Sequence, residues 1–237
     1  PWMRGSTNGF RCMKEIGDSN QSAYKEISLP FRDYYTEEPV TDETYNFFLK
    51  QFDYDKTPLE AKILDIDDSY PYAITEKIMF KAAYDNEEII AYLFTPKNGK
   101  PPYKAIVYFP GSNAIHDNNS TVISPKQFDY FLKSNYAVIH PIYKGTYERG
   151  TELTSDYQNE TVLYKDHVIW WGKDLKRSID YLESREDINS SQLAYYGVSW
   201  GGALGALMIP IEKRFKAGLL YVAGLMFQKA LPEVDQI

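Results

Sequence analysis

The first half of the chain shows the alternation of apolar and polar positions that is typical of antiparallel strands. Residues 62–67, 74–84 and 88–95 are each predicted to form a strand. Asp85 and Asn86 lie between the last two and are typical turn residues, so those two strands are predicted to pair as a hairpin.

From Tyr103 onwards the pattern changes to short apolar strands that alternate with amphipathic helices. The predicted strands cover residues 105–109, 136–142, 193–198 and 217–222, and the predicted helices cover residues 125–134, 160–184 and 200–211. Strands that alternate with helices indicate a parallel sheet, and short apolar strands fit a sheet that is covered on both faces. The expected class is therefore α/β, with a mostly parallel sheet, an N-terminal antiparallel hairpin and helices on both faces.

The N-terminal residues differ from the rest of the chain. Residues 1–40 are polar and contain Pro30 and Pro39, which favours a linker or the tail of an upstream domain. A helix is predicted to begin at Thr41 or Asp42, because either residue can cap it and apolar residues follow at helical spacing. We therefore predict one folded domain over residues 41–237.

Composition excludes several function classes. Of 237 residues, 43% are hydrophobic and 16% aromatic, which is enough for a sizeable core. The net charge of −7 argues against a nucleic-acid partner or an anionic membrane surface. Cys12 is the only cysteine, so neither an intrachain disulfide nor a thiolate-rich metal site can form. We expect no metal and no cofactor, and the cellular compartment stays open.

The stretch Gly197-Val198-Ser199-Trp200-Gly201-Gly202 carries the candidate chemistry. It has the pattern G-x-S-x-G between a predicted strand and a predicted helix, which is the context that a nucleophilic serine requires. The serine of such a turn projects from the carboxyl end of the sheet. Backbone N–H groups at the helix N-terminus then favour developing negative charge. Ser199 is therefore the candidate nucleophile.

A second segment is placed to complete an oxyanion hole. One N–H donor is expected from Trp200, the residue after the nucleophile, and the other from the loop after an earlier strand. That loop begins at Pro110. Within it Gly111 allows an unusual turn, the N–H of Ser112 is the predicted second donor, and Asn113 completes the candidate binding segment. The alternative is an ordinary Pro-Gly turn.

With these motifs, residues 103–225 resemble the α/β-hydrolase superfamily, in the style of its acetyl-esterase and prolyl-oligopeptidase-like members. The resemblance implies an incomplete α/β-hydrolase fold and acyl transfer from a small-molecule ester or peptide to water. It also implies a catalytic acid and then a histidine after the serine. The chain has three histidines, His116, His140 and His167, and all precede Ser199.

No histidine is an obvious base. Each of the three is more typical of a surface or packing residue, and His116 with Asp117 lacks the further ligands of a metal site. Glu212, Glu233 and Asp235 follow Ser199 but have no later histidine to orient. We therefore expect this chain to be inactive by itself and to have been cut before the acid and base. A sheet edge left exposed by such a cut favours self-association.

A weaker resemblance concerns residues 9–12, Gly-Phe-Arg-Cys, which look like the closing strand of formylglycine-generating (sulfatase-modifying) domains. Residues 31–33 and 54–59 are similar to fusions of such domains with bacterial serine/threonine kinases. This resemblance leaves open a non-catalytic binding or scaffolding role in a multidomain signalling protein. A nucleotide-binding domain is disfavoured, because the chain has no Walker-type loop and no G-x-G-x-x-G after a strand. The polar residues 144–160 could line a pocket of unknown specificity.

Overall fold

The computed structural model describes residues 36–224. The chain divides into two units between Thr41 and Asp42, and the described part of the first, residues 36–41, holds no helix or strand. The second unit contains all the described elements. Its strands are β1 (Lys62–Asp67), β2 (Ala73–Lys81), β3 (Glu88–Pro96), β4 (Tyr103–Phe109), β5 (Tyr136–Pro141), β6 (Ile188–Val198) and β7 (Phe215–Tyr221). Its helices are α1 (Asp42–Leu49), α2 (Asn113–His116), α3 (Asp129–Lys133), α4 (Val162–Glu183) and α5 (Trp200–Met208).

The seven strands form one sheet in the order β1-β2-β3-β5-β4-β6-β7. The pairs β1–β2, β2–β3 and β3–β5 are antiparallel. The strands β5, β4, β6 and β7 run parallel to one another. The predicted hairpin is β2–β3, and its turn holds Asp85 and Asn86 at φ of 49° and 52°. The predicted α/β class, with its antiparallel N-terminal part, is confirmed.

Both faces of the sheet are covered, because alternate strand residues point to opposite sides. On one face, Val107 and Phe109 of β4 pack with side chains of α4 and α5. On the other face, Ile106 and Tyr108 pack with Phe128 and Leu132, which belong to the segment around α3. Helices on both faces were predicted from the short apolar strands, and this prediction is confirmed.

The parallel strands bring three chain segments to one edge of the sheet. Phe109, at the end of β4, lies level with Gly197 of β6. Val198, at the end of β6, lies level with Tyr221 of β7. The loop after β4, the turn after β6 and the end of β7 therefore meet at the carboxyl edge, where α/β sheets bind their ligands.

The N-terminal helix differs from the usual amphipathic helix. Its apolar residues follow helical spacing, yet Tyr45, Phe47 and Phe48 are 41%, 66% and 55% exposed. None of the residues of α1 is buried against the rest of the described chain. No described helix has the length and apolar character needed to cross a lipid bilayer.

Candidate active site

Ser199 occupies a strained turn between β6 and α5. Its backbone angles are φ 52° and ψ −107°, a region that non-glycine residues rarely adopt. The Ser199 N–H donates to the Tyr221 carbonyl at 2.8 Å, and the Ser199 carbonyl accepts from the Ala203 N–H at 2.9 Å. Strain of this kind persists only where the surroundings hold it, and it concentrates at functional sites. The side chain is exposed at the carboxyl edge of the sheet.

The two glycines of the motif make this turn sterically possible. A Cβ added at Gly197 would lie 2.2 Å from the Gly201 carbonyl oxygen, and one added at Gly201 would lie 2.3 Å from the Phe109 carbonyl oxygen. Neither contact can be relieved by moving a side chain, because both partners are backbone atoms. The glycine spacing therefore lets α5 pass close to β6 and β4.

The loop after β4 lies directly against the turn. A Cβ on Gly111 would lie 3.7 Å from the Ser199 Cβ, which is ordinary van der Waals contact. The Gly201 N–H donates to the Pro110 carbonyl at 3.0 Å and joins the two segments. Tertiary structure thus brings Gly111 and Ser199 together, although they are far apart in the chain.

The candidate donor Ser112 directly precedes the short helix α2, and the candidate donor Trp200 is the first residue of α5. Ser112 has φ −64° and ψ −17° and precedes the first residue of α2. Within residues 36–224, no hydrogen bond occupies the backbone N–H of either residue. Such free N–H groups can donate to an anionic oxygen. Asn113 is exposed, and its Nδ2 donates to Asp117 Oδ2 at 3.4 Å.

Two of the three histidines are committed to packing. His167 Nδ1 lies 2.7 Å from the Leu163 carbonyl, which can only accept, so Nδ1 carries the proton and Nε2 accepts from Thr151 Oγ1 at 2.7 Å. His140 lies within the sheet, its ring centroid 4.8 Å from that of Tyr108. Burial lowers the pKa of His140 to about 3. Neither ring is available to take a proton from Ser199.

The other titratable candidates differ in their exposure and in their partners. His116 is exposed at the end of α2. Glu212 is buried and pairs with Arg214 at 2.6 Å. Glu233 and Asp235 fall outside the described residues, as do residues 9–12 and 31–33. Among the residues that the structure describes, no group of three His, Cys, Asp or Glu side chains could hold a metal ion.

Sequence reasoning missed a buried ionic cluster beneath the loop after β5. Asp174 of α4 is fully buried, and its Oδ2 accepts from Arg149 Nη1 at 2.7 Å and from the Lys144 N–H at 2.9 Å. Tyr84 donates to the other oxygen at 2.8 Å. Burial raises the pKa of Asp174, and Arg149 opposes that rise. The sequence held one signal for this cluster: Asp174 stands directly before Leu175, one of the apolar residues on the buried face of α4.

Comparison with known proteins supports this geometry at the level of the fold. No family profile and no curated protein matches the chain. Among solved structures, an acetyl xylan esterase from Paenibacillus sp. R4 aligns with a TM-score of 0.59 at 19% identity, over 78% of this chain. Acetyl xylan esterase 1 from Thermoanaerobacterium sp. JW/SL YS485 aligns at 0.57 and 14%, over 79% of this chain. The chain has the α/β-hydrolase fold.

The match to these hydrolases is partial along their length. This chain spans 61% of the Paenibacillus esterase and 64% of the Thermoanaerobacterium esterase. A glucuronoyl esterase from Solibacter usitatus aligns with a TM-score of 0.50 at 14% identity, over 85% of this chain and 65% of its own. At these identities the likeness establishes the α/β-hydrolase fold alone.

Proposed function

We propose that this chain carries the nucleophile part of an esterase-type serine hydrolase, with Ser199 as the nucleophile. The observation that carries the proposal is the strained Ser199 turn, with φ 52°, at the carboxyl edge of an α/β-hydrolase sheet. The similar structures include two acetyl xylan esterases, which supports an ester as substrate and favours it over a peptide.

In the proposed reaction, Ser199 Oγ attacks the ester carbonyl and loses its proton to a base. The N–H groups of Trp200 and Ser112 donate to the oxyanion that forms. Gly111 lies beside Ser199 and, having no side chain, leaves room for the substrate carbonyl; Asn113 borders the same opening. Collapse of the tetrahedral intermediate breaks the ester C–O bond and releases the alcohol, which takes up the proton held by the base. Water then hydrolyses the acyl-enzyme to the carboxylic acid and frees Ser199. The reaction needs no cofactor.

The base is the missing part of the proposal. His140 and His167 are held in the packing, and no histidine follows Ser199 in the sequence. We propose that residues 1–237 alone have little or no esterase activity, since loss of a triad member typically costs several orders of magnitude in rate.

The test is hydrolysis of p-nitrophenyl acetate by the intact gene product and its Ser199→Ala variant. We expect the variant to lose about a thousandfold or more in kcat. Ser191→Ala is the matched control, because Ser191 is an exposed serine near the other end of the same strand. Its activity should equal that of the parent. Ester hydrolysis that survives Ser199→Ala would refute the assignment.

The second candidate is a non-catalytic binding or scaffolding domain in a multidomain signalling protein. The commitment of His140 and His167 to packing favours it. The gene sequence after Ile237 discriminates the two: a downstream acid followed by a histidine supports the enzyme, and a stop codon supports the binding domain. Labelling of Ser199 by a fluorophosphonate probe is the corresponding protein-level test. Neither candidate involves nucleic acid or a membrane.

A further inference from the structure

Tyr195 of β6 makes a hydrogen bond to the helix that leaves the Ser199 turn. Its side chain is fully buried, and its hydroxyl donates to the Gly201 carbonyl at 2.5 Å. The ring lies between β6 and α5, where Gly205 leaves space for it: a Cβ on Gly205 would lie 3.1 Å from Tyr195 Cε1. Phe215 of β7 packs edge-on against the ring at 5.8 Å between centroids.

Both backbone polar groups of Gly201, its N–H and its carbonyl, are therefore hydrogen-bonded. Its N–H donates to Pro110 at 3.0 Å, and its carbonyl accepts from Tyr195 at 2.5 Å. Pro110 is two residues before the candidate donor Ser112, and Gly201 directly follows the candidate donor Trp200. Gly201 thus connects the two donor segments through its N–H, and the Tyr195 hydroxyl fixes the position of its carbonyl.

We propose that Tyr195 is a positioning residue that holds the Trp200 and Ser112 N–H groups in register for the oxyanion of the Ser199 reaction. The inference rests on the proposed function. Tyr195 does not touch the substrate; it acts through Gly201. Misplacement of a catalytic group by about 1 Å can cost about a hundredfold in rate. A hydroxyl that orients the carbonyl of Gly201, the residue after the donor Trp200, therefore affects turnover more than stability.

The chemistry of the bond supports a fixed orientation. A buried hydrogen bond is stronger than one in water, because the surroundings have a low dielectric constant. Burial also raises the pKa of the Tyr195 hydroxyl well above its usual value, so the hydroxyl keeps its proton and remains a donor across the working pH range. No described group competes for that proton.

A second buried tyrosine provides a matched control. Tyr143 is also fully buried, and its hydroxyl donates to the Tyr108 carbonyl at 3.1 Å. Burial raises its pKa well above the usual value, as for Tyr195. Tyr108 lies within β4, and the Tyr143 hydroxyl bonds to neither donor segment. Removing either hydroxyl deletes one buried bond to a backbone carbonyl, so a merely structural role predicts the same result for both.

The experiment compares Tyr195→Phe and Tyr143→Phe in the intact gene product, with p-nitrophenyl acetate as substrate. For Tyr195→Phe we expect kcat to fall by about tenfold or more with KM nearly unchanged. Tyr143→Phe should keep the parent kcat, and the two variants should lose similar thermal stability. If Tyr195→Phe does not fold at the assay temperature, kcat is measured at a lower temperature, where its near-ultraviolet circular dichroism matches the parent.

Equal kcat values for Tyr195→Phe and Tyr143→Phe would overturn the positioning role while leaving the proposed function intact. A rise in KM alone would overturn it too, because ground-state binding would then be the affected step. Absence of turnover in the parent gene product would overturn the proposed function and the positioning role together. A selective fall in kcat for Tyr195→Phe supports both.

Discussion

At the residue scale, two side-chain-bearing residues with positive φ lie side by side at the carboxyl edge. Ser199 has φ 52° and Val222 has φ 58°. The backbone carbonyl of Tyr221, the residue before Val222, accepts a hydrogen bond from the Ser199 N–H at 2.8 Å. A β-branched residue with positive φ is a genuine conformational outlier. The donor residue and the residue after the acceptor are both strained, which indicates that this edge is held in a specific geometry and supports its assignment as the site.

His140 is the residue whose burial has the clearest pH consequence. Both ring nitrogens lack a hydrogen-bond partner within the described part of the chain, and burial lowers the pKa to about 3. The folded protein therefore keeps the ring neutral, while the unfolded chain takes up a proton below about pH 6.5. Stability contributed by neutral His140 is present above that pH and is lost as the pH falls from about 6.5 towards 3.

We expect the free energy of unfolding to drop by about 1 kcal/mol more for the parent than for His140→Phe between about pH 7 and pH 5.5. Phenylalanine fits the aromatic surroundings of Tyr108 and Phe128 and has no proton to gain. Urea unfolding at the two pH values measures the difference. An identical pH dependence in parent and variant would show that another group is responsible.

At the element scale, the loop after β5 is fixed by charge. Arg149 ends a short 3-10 turn (Tyr147–Arg149) that packs near α2, and it binds Asp174 of α4, Tyr84 and Glu87. These contacts connect the loop to α4 and to the β2–β3 turn. The polar character of residues 144–160 suggested a pocket lining, but part of the segment serves to anchor the loop beside α2.

We expect Arg149→Met to destabilise the fold by about 3–5 kcal/mol, because it leaves the fully buried Asp174 carboxylate without its cation. Arg185→Met is the comparison. Arg185 also pairs with carboxylates, those of Glu76 and Asp187, but its side chain is 18% exposed rather than 8%. Its loss should cost less than the loss of Arg149, because Glu76 and Asp187 both keep some contact with water, whereas Asp174 has none. Equal losses in denaturant unfolding would contradict the role assigned to the buried pair.

The elements themselves were predicted to different degrees. α4 was predicted over residues 160–184 and spans Val162–Glu183, because its apolar residues repeat at helical spacing over many turns. Residues 125–134 were predicted as one helix, but they form a 3-10 segment followed by the short α3. Phe128 leaves helical geometry at φ −107° and ψ 13°, and its ring packs 4.9 Å from that of Tyr108. Tertiary packing overrode local preference there.

At the scale of the whole molecule, β1 and β7 are the two outer strands of the described sheet, and β7 ends its parallel half. Among the described strands it pairs on one side only, with β6. Its apolar residues Leu219, Leu220 and Tyr221 are 42%, 45% and 62% exposed. Unpaired apolar edges promote pairing with other chains. The self-association predicted from the sequence would therefore take place through this edge of β7.

We expect residues 1–237 to self-associate at micromolar concentration, and Leu219→Lys to shift them towards the monomer, because a lysine on an edge strand opposes pairing. Leu207→Lys on α5 is the control, since Leu207 is 39% exposed and lies on a helix rather than on the edge. Sedimentation equilibrium measures the mass. A parent that is already monomeric, or equal shifts from both variants, would contradict the proposal.

The sequence by itself determined the local features of this protein. The glycine spacing around Ser199 specifies the strained turn, because only glycines at positions 197 and 201 avoid backbone collisions of 2.2 Å and 2.3 Å. Periodicity specified the strands and the long helix. Tertiary structure decided which segments meet: the contact of Gly111 with Ser199, the bond from Tyr195 to Gly201 and the burial of His140 depend on strand order and register. These partners are distant in the chain or lie across elements, so local spacing does not encode them.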